Sequence, residues 1–228
     1  MQRIYAYSIS ILLIISQIGV FAQSKKSEPK IEKTNWWNGM LVQMDAASLV
    51  GSALTYKESY SLESAVQFDL NQKYFPVVEA GIAGADKITS TGNNFQTNGV
   101  FSRVGVDFNL MNKSKDSKPT NNLFMVGARI GFTAFNYNIN NIEIADEYWK
   151  TTETLNYRNQ FASKVWFEIV AGIKVELTKN IFVGWTVRNK NMIGQSTEGD
   201  VSPFYIPGYG NDTNPNWGFS YTIGYKIL

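Results

Sequence analysis

A chain of 228 residues with no histidine and no cysteine lacks most of the side chains used for proton transfer, thiol nucleophiles and zinc or copper sites. Its 21 Lys and Arg against 19 Asp and Glu leave a formal net charge of +2, too small to point to nucleic acid or to an anionic surface. Ser-His-Asp and His-Glu-x-x-His chemistry is excluded, and Gly208-Tyr209-Gly210 lacks the Lys and the following helix of a phosphate loop.

The chain opens with an export pattern. Arg3 precedes an apolar run over residues 9–20, and Val20-Phe21-Ala22 sets up a cleavage site after Ala22. The run is shorter than the roughly 20 residues that cross a bilayer as a helix. We therefore expect a cleaved signal peptide over residues 1–22, with no Cys after it to carry a lipid anchor. Residues 23–35, rich in Lys, Ser and Glu, read as a disordered periplasmic leader. The ordered domain is expected over 36–228, starting at Trp36-Trp37, a pair suited to a membrane interface. No later stretch is apolar and long enough for a membrane helix.

From there the pattern is two-fold alternation, the signature of strands. The first strand is expected near 39–47, with Met40, Val42, Met44 and Ala46 on one face. The second, near 60–71, sets Leu62, Val66, Phe68 and Leu70 against Glu63, Gln67 and Asp69. The third, near 75–85, is weaker. The fourth, 100–110, sets Val100, Val104, Val106 and Phe108 against Arg103, Asp107 and Asn109. The fifth, 123–135, sets Phe124, Val126, Ile130 and Phe132 against Gly127, Arg129 and Gly131. The sixth, 165–177, sets Phe167, Ile169 and Ile173 against Trp166, Glu168, Lys174 and Glu176. The seventh, 181–190, sets Val183, Trp185 and Val187 against Gly184, Thr186, Arg188 and Lys190. In the eighth, 217–227, the apolar face (Trp217, Phe219, Tyr221, Ile223, Tyr225, Ile227) is unbroken.

Connection lengths follow their own alternation. Those at 72–74 and 178–180 are tight, whereas 48–59, 86–96, 136–160 and 191–215 are long; 111–122 is polar and of medium length. Short periplasmic turns and longer extracellular loops belong to outer-membrane barrels. The expected fold is all-β, a transmembrane antiparallel up-and-down β-barrel of eight strands, or ten if the 136–160 connection hides another hairpin, for instance over 139–155. The competing reading is a soluble lipocalin-like or jelly-roll domain, which would turn its apolar faces inward.

In the barrel reading the charged faces line a narrow interior, where charges must be paired. A network of Glu79 and Glu168 with Arg103, Arg129 and Arg188, flanked by Asp107 and Lys174, is expected as a structural feature in preference to an ion pathway. Two acids can cleave a glycosidic bond, and Glu79 and Glu168 could lie near each other, but paired interior acids are the far commoner case.

Several segments carry a family likeness. They are Phe75-Pro76-Val77-Val78-Glu79-Ala80-Gly81, Arg103-Val104-Gly105-Val106-Asp107-Phe108-Asn109-Leu110, Val126-Gly127-Ala128-Arg129-Ile130-Gly131 and Trp166-Phe167-Glu168. To these add Tyr205-Ile206-Pro207-Gly208-Tyr209-Gly210 and Tyr221-Thr222-Ile223-Gly224-Tyr225. Together they resemble an uncharacterised family of outer-membrane β-barrels of the Bacteroidota, a domain of unknown function. The signal ending Phe21-Ala22-Gln23 is similar to exports of that group. The resemblance spans nearly the whole mature chain; it implies fold and location and brings no activity with it. One departure from better-known bacterial barrels is the end, Lys226-Ile227-Leu228, where many have Phe.

Function is expected in the loops. Tyr148, Trp149, Tyr205 and Tyr209 are candidate anchors for a surface protein or glycan partner, or else they pack together and close the barrel mouth. Glu143, Asp146 and Glu147 have the oxygen ligands a calcium ion would want, but read as solvated loop carboxylates. The expectation is a non-enzymatic protein of the outer membrane, in contact with its lipid, without cofactor, metal or nucleic acid. Its role is structural or surface-interacting; the alternatives are a narrow channel or solute carrier, and a soluble lipocalin-like ligand binder. Partner and oligomeric state leave no mark on the sequence.

Overall fold

The computed structural model describes residues 36–54, 58–89, 92–111, 121–146, 148, 151–197 and 201–227. The expected signal peptide and leader lie outside the described residues. Two-fold alternation produces strands: β1 Trp37–Asp45, β2 Ser59–Leu70, β3 Tyr74–Ile88, β4 Asn94–Asn109, β5 Leu123–Asp146, β6 Thr151–Thr178 and β7 Ile181–Thr197. After them come two short strands, β8 Tyr205–Ile206 and β9 Gly210–Asn211, and a last long one, β10 Asn216–Ile227. One helix, α1 Ala46–Leu54, follows β1.

Eight of these strands form one antiparallel sheet closed into a ring, in the order β1-β2-β3-β4-β5-β6-β7-β10 and back to β1. Closure is made by Met40↔Ile227 through Asp45↔Thr222. β8 and β9 pair only with each other. The tight turns of the sequence are real turns. Asn71, Gln72 and Asn180 take positive φ there, a conformation Asn tolerates better than most residues, and Asp69 Oδ1 accepts the Gln72 N–H at 2.9 Å.

The faces sort by charge in the direction opposite to an ordinary core. Glu79, Arg103, Asp107, Arg129, Glu168 and Arg188 are buried inside the ring, while Val78, Val104, Ile130, Ile169 and Ile223 stand exposed outside it. At the end away from the tight turns, the inside changes character. Phe95, Phe101, Phe135, Tyr137 and Trp166 pack there with Ile206 and Tyr209 of the β7–β10 connection.

Four sequence expectations are corrected. Ala46 does not continue β1; it starts α1. Asp45 caps that helix, its Oδ1 accepting the N–H of Ala47 at 3.0 Å and of Ser48 at 3.4 Å, and the small apolar run behind it suits a helix. Second, the suspected extra hairpin over 139–155 adds no strand to the ring. It is the prolongation of β5 and β6, which stay paired through Ile139↔Tyr157 and Ile142↔Leu155 to Asp146↔Thr151. Third, β4 begins at Asn94 and β7 runs to Thr197, so the expected 86–96 and 191–215 connections are largely strand at those edges. Fourth, the seventh connection contains the β8–β9 pair.

The helix has a place in the wall. β1 pairs with β2 only as far as Met44↔Ser64, and with β10 only as far as Asp45↔Thr222. Residues 59–63 of β2 and 216–221 of β10 therefore have no β1 beside them. A single missing strand leaves about 10 Å, two inter-strand spacings, which is the diameter of a helix. α1 packs against both β2 and β10 at this place.

Inward glycines make room for large inward side chains. At Gly131 a Cβ would lie 2.2 Å from Cε2 of Trp166, the residue opposite it across β5 and β6. Gly131→Val should displace that ring and cost about 1–3 kcal/mol, read as a lower urea midpoint by tryptophan fluorescence. Gly51→Ala, at a helical position with nothing within 4 Å, should leave the midpoint unchanged or raise it.

Candidate functional site

Sheet register gathers the interior charges at one level. Glu79 on β3 lies opposite Arg103 on β4, Arg129 on β5 opposite Glu168 on β6, and Glu168 opposite Lys190 on β7. Glu79 is the hub. Its Oε2 accepts Arg103 Nη1 at 2.9 Å and Arg188 Nη1 at 2.5 Å, and its Oε1 accepts Arg129 Nε at 2.7 Å. Asp107 takes both Arg129 amino groups, at 2.7 and 2.9 Å, the bidentate fork that suits a guanidinium. Glu63 Oε1 lies 2.8 Å from Arg103 Nη1 and 3.1 Å from Arg188 Nη2.

Glu168 lies 2.9 Å from Arg103 Nε and 3.4 Å from Arg188 Nη1, and it accepts the indole N–H of Trp166 at 2.6 Å. Although Arg129 faces Glu168 in register, it makes no ion pair with it; Arg129 turns to Asp107 and Glu79 instead. Lys174 donates to Gln67 Oε1 at 2.5 Å, and Gln67 donates onward to Asp107 Oδ2 at 2.7 Å. Glu63, Glu79, Asp107 and Glu168 thus meet Arg103, Arg129, Arg188 and Lys174, four negative groups against four positive ones. That balance makes the burial of so many charges tolerable.

Above this layer sits a plug. Ile206-Pro207-Gly208-Tyr209 is a tight turn, closed by Tyr209 N–H to Ile206 O at 3.1 Å, with Gly208 at φ +77°. Proline followed by a positive-φ glycine is the type II pattern. Two cations of the ring hold it. Arg103 Nη2 donates to Gly208 O at 2.8 Å, and Lys190 Nζ donates to Gly208 O at 2.9 Å and Tyr209 O at 3.0 Å. The Tyr209 ring meets Trp166 edge-on, centroids 5.7 Å apart, and its hydroxyl donates to Thr213 O at 2.9 Å. Tyr137 donates its hydroxyl to Val201 O.

All seven residues of the expected network are buried inside the ring. The loop aromatics separate. Tyr209 is 1% exposed and is not available as a surface anchor; Tyr205 is half-buried beside it. Both belong to the alternative in which loop aromatics close the mouth, and burial pushes both phenols above the usual tyrosine range. Tyr148 stands 82% exposed, and Trp149 lies outside the described residues. Of the three carboxylates weighed for calcium, Glu143 is exposed, Asp146 ends β5, and Glu147 lies outside the described residues.

Sequence reasoning left out Lys164, buried on the prolonged part of β6 and bonded to Gln195 Oε1 at 2.7 Å. It places Ile206 and Pro207 only in a family-like loop segment, with no role inside the ring. The Pro207-Gly208 pair was the available signal, since it marks a turn, but a turn does not announce on which side of a sheet it will lie.

Little space remains inside. The hollows beside the charge layer and toward the tight turns measure about 20 and 30 Å³, enough for a water or two. A cavity of about 160 Å³ lies between the charge layer and the plug. A hollow of about 1150 Å³ is open on the strands near Tyr60, Asn98, Asn136 and Phe161.

These features define a class: an all-β domain, its eight-stranded antiparallel sheet closed in a ring, with its polar chemistry inside. More particularly, the chain matches the family model described as Domain of unknown function (DUF6048) over residues 4–228, and it belongs to that family. Comparison with curated proteins finds no match.

Because Glu79 serves three guanidiniums, Glu79→Gln should cost about 3–5 kcal/mol, the usual loss when one member of a buried ion cluster is neutralised. Asp69→Asn, which breaks the more exposed contact to Lys226 Nζ at 2.8 Å, should cost clearly less. Urea titration of the two variants side by side checks the order.

Proposed function

We propose that the chain is a small, non-enzymatic outer-membrane β-barrel with a structural and surface-interaction role, exported by its signal peptide, as the resemblance to Bacteroidota barrels implies. One observation carries the reading: the ring is inverted, with charge within and apolar side chains without. A soluble ring of this kind would expose to water a belt far larger than the few hundred Å² usual for a monomer. A lipocalin-like ligand binder needs the opposite arrangement.

The limits of the belt also support it. Trp37, Tyr74 and Tyr225 are exposed on the side of the tight turns. On the other side Tyr60, Asn98, Asn136 and Phe161 fall on one register row, joined through Gly84. Between the two rows β3 has about ten residues, the length of a tilted strand that crosses a bilayer. Beyond the upper row the outward face turns to amides, Asn138 and Asn140. The prolonged β5–β6 hairpin would then stand outside the membrane, with Tyr148 exposed near its tip, a place for a surface protein or glycan to dock.

The filled interior favours this role over a channel: among the described residues the charge layer and the plug occupy the ring, with hollows of only about 20 and 30 Å³ beside the layer. Detergent-refolded mature chain should migrate faster unboiled than boiled on a denaturing gel, and in planar bilayers it should insert without conductance. A single gel band from a chain soluble in plain buffer would count against the membrane reading. Steady single-channel steps, altered in Arg129→Ala, would move the role to that of a channel.

A further inference from the structure

The 160 Å³ cavity lies at the break in the ring wall. Ser61 and Glu63 come to it from the unpaired part of β2, Gly218 and Phe219 from the unpaired part of β10, and Ser48 from the helix between them. Its inner lining is Arg103, Arg188 and Lys190, together with the plug backbone. The cavity therefore reaches from the gap filled by α1 to the charged interior. Outside the gap the surface is apolar: Leu49 and Val50 on α1, Leu62 on β2 and Phe219 on β10 are all exposed.

The lining has both signs. Asp45 and Glu63 are acids on β1 and β2; Arg103 on β4 and Arg188 and Lys190 on β7 are bases. Added to the four acids and four bases of the charge layer, Asp45 and Lys190 make five of each sign. Lys190 spends two of its three ammonium hydrogens on the Gly208 and Tyr209 carbonyls, which leaves one donor. Among the described residues it makes no ion pair. A ligand with one net charge would unbalance this buried set, whereas a group carrying its own counter-charge would not. Polar and two-signed inside, apolar at the mouth, the site matches the two ends of an amphiphile.

We propose that this break in the wall is a lateral lipid site: a zwitterionic phospholipid places its headgroup in the cavity beside Lys190 and Glu63, and its chains leave between β2 and β10 along α1. The proposal rests on the membrane reading above.

The test uses the mature chain refolded in dodecyl maltoside and incubated with micelles holding equal amounts of phosphatidylethanolamine and phosphatidylglycerol. After exchange into lipid-free detergent, retained lipid is identified by mass spectrometry. Unaltered protein should keep phosphatidylethanolamine in preference. Gly218→Leu should lower that retention roughly tenfold, because a Cβ there already lies 3.0 Å from Cε and 3.4 Å from Nζ of Lys190, and a longer side chain fills the site. Gly194→Leu, with nothing within 4 Å, should retain lipid normally. Ser61→Leu fills the cavity from its other edge and replaces Gly218→Leu if that variant loses its fast-migrating unboiled band.

Equal retention in filled and unfilled variants would overturn the site. Preference for phosphatidylglycerol would overturn its zwitterionic character. No retained lipid on a chain that still migrates as a closed barrel and enters bilayers would overturn this proposal alone. A chain that does neither would remove the membrane reading as well.

Discussion

Glu79, held by three guanidiniums, is the contact from which the organisation of the ring follows. A carboxylate and three arginines cannot sit in a protein interior unless each finds opposite charge and hydrogen bonds at close range. The ring meets that demand by drawing one charged residue or more from each of β2, β3, β4, β5, β6 and β7 to a common level. Once the inside is committed to charge, the apolar half of every strand must face outward, and the width of the ring is limited to the reach of an arginine. The inward glycines and the tightly filled interior are consequences of the same commitment.

The plug extends this logic. Arg103 is shared between the acid layer and the Gly208 carbonyl, and Lys190 holds the carbonyls of Gly208 and Tyr209. The connection between β7 and β10 thus supplies acceptors that side chains alone would have had to provide. It also brings Ile206 and Tyr209 against Trp166 and Phe101, so that a hydrophobic layer rests directly on the ionic one.

Alternation in the sequence was enough to read the eight ring strands, their inward faces and the burial of seven of the eight charged residues gathered there, because a strand has only two faces and these two differ sharply in polarity. Alternation gives the face and not the partner, however. Arg129 and Glu168 stand opposite one another, yet the long guanidinium swings to Asp107 and Glu79; reach and competition decide that, and neither is written in a pattern. The prolonged parts of β4 to β7 escaped for another reason. There the alternation reverses its polarity: Phe135, Tyr137 and Ile139 face inward and Asn136, Asn138 and Asn140 outward, so the pattern does not continue the faces read from the apolar part of the strand. α1 escaped because Ala46 happens to continue the strand's alternation, and only the Asp45 cap betrays the change. Tyr209 was legible as an aromatic on a stiff loop, but not as one that folds inward.

The sequence distances between ionic partners bear on how such a ring comes together. Arg188 meets Glu63 across 125 positions and Glu79 across 109, and Arg103 reaches Gly208 across 105. An unfinished sheet that has made only the β2 to β4 hairpins already holds Glu63, Glu79 and Arg103, without the Arg188 that balances them. Such an intermediate carries unmatched charge on the side that will become interior, and it stays hydrated until β7 arrives. Long-range contacts of this kind form slowly. Neutralisation of the interior thus depends on β7, far along the chain, whose Arg188 reaches Glu63, Glu79 and Glu168.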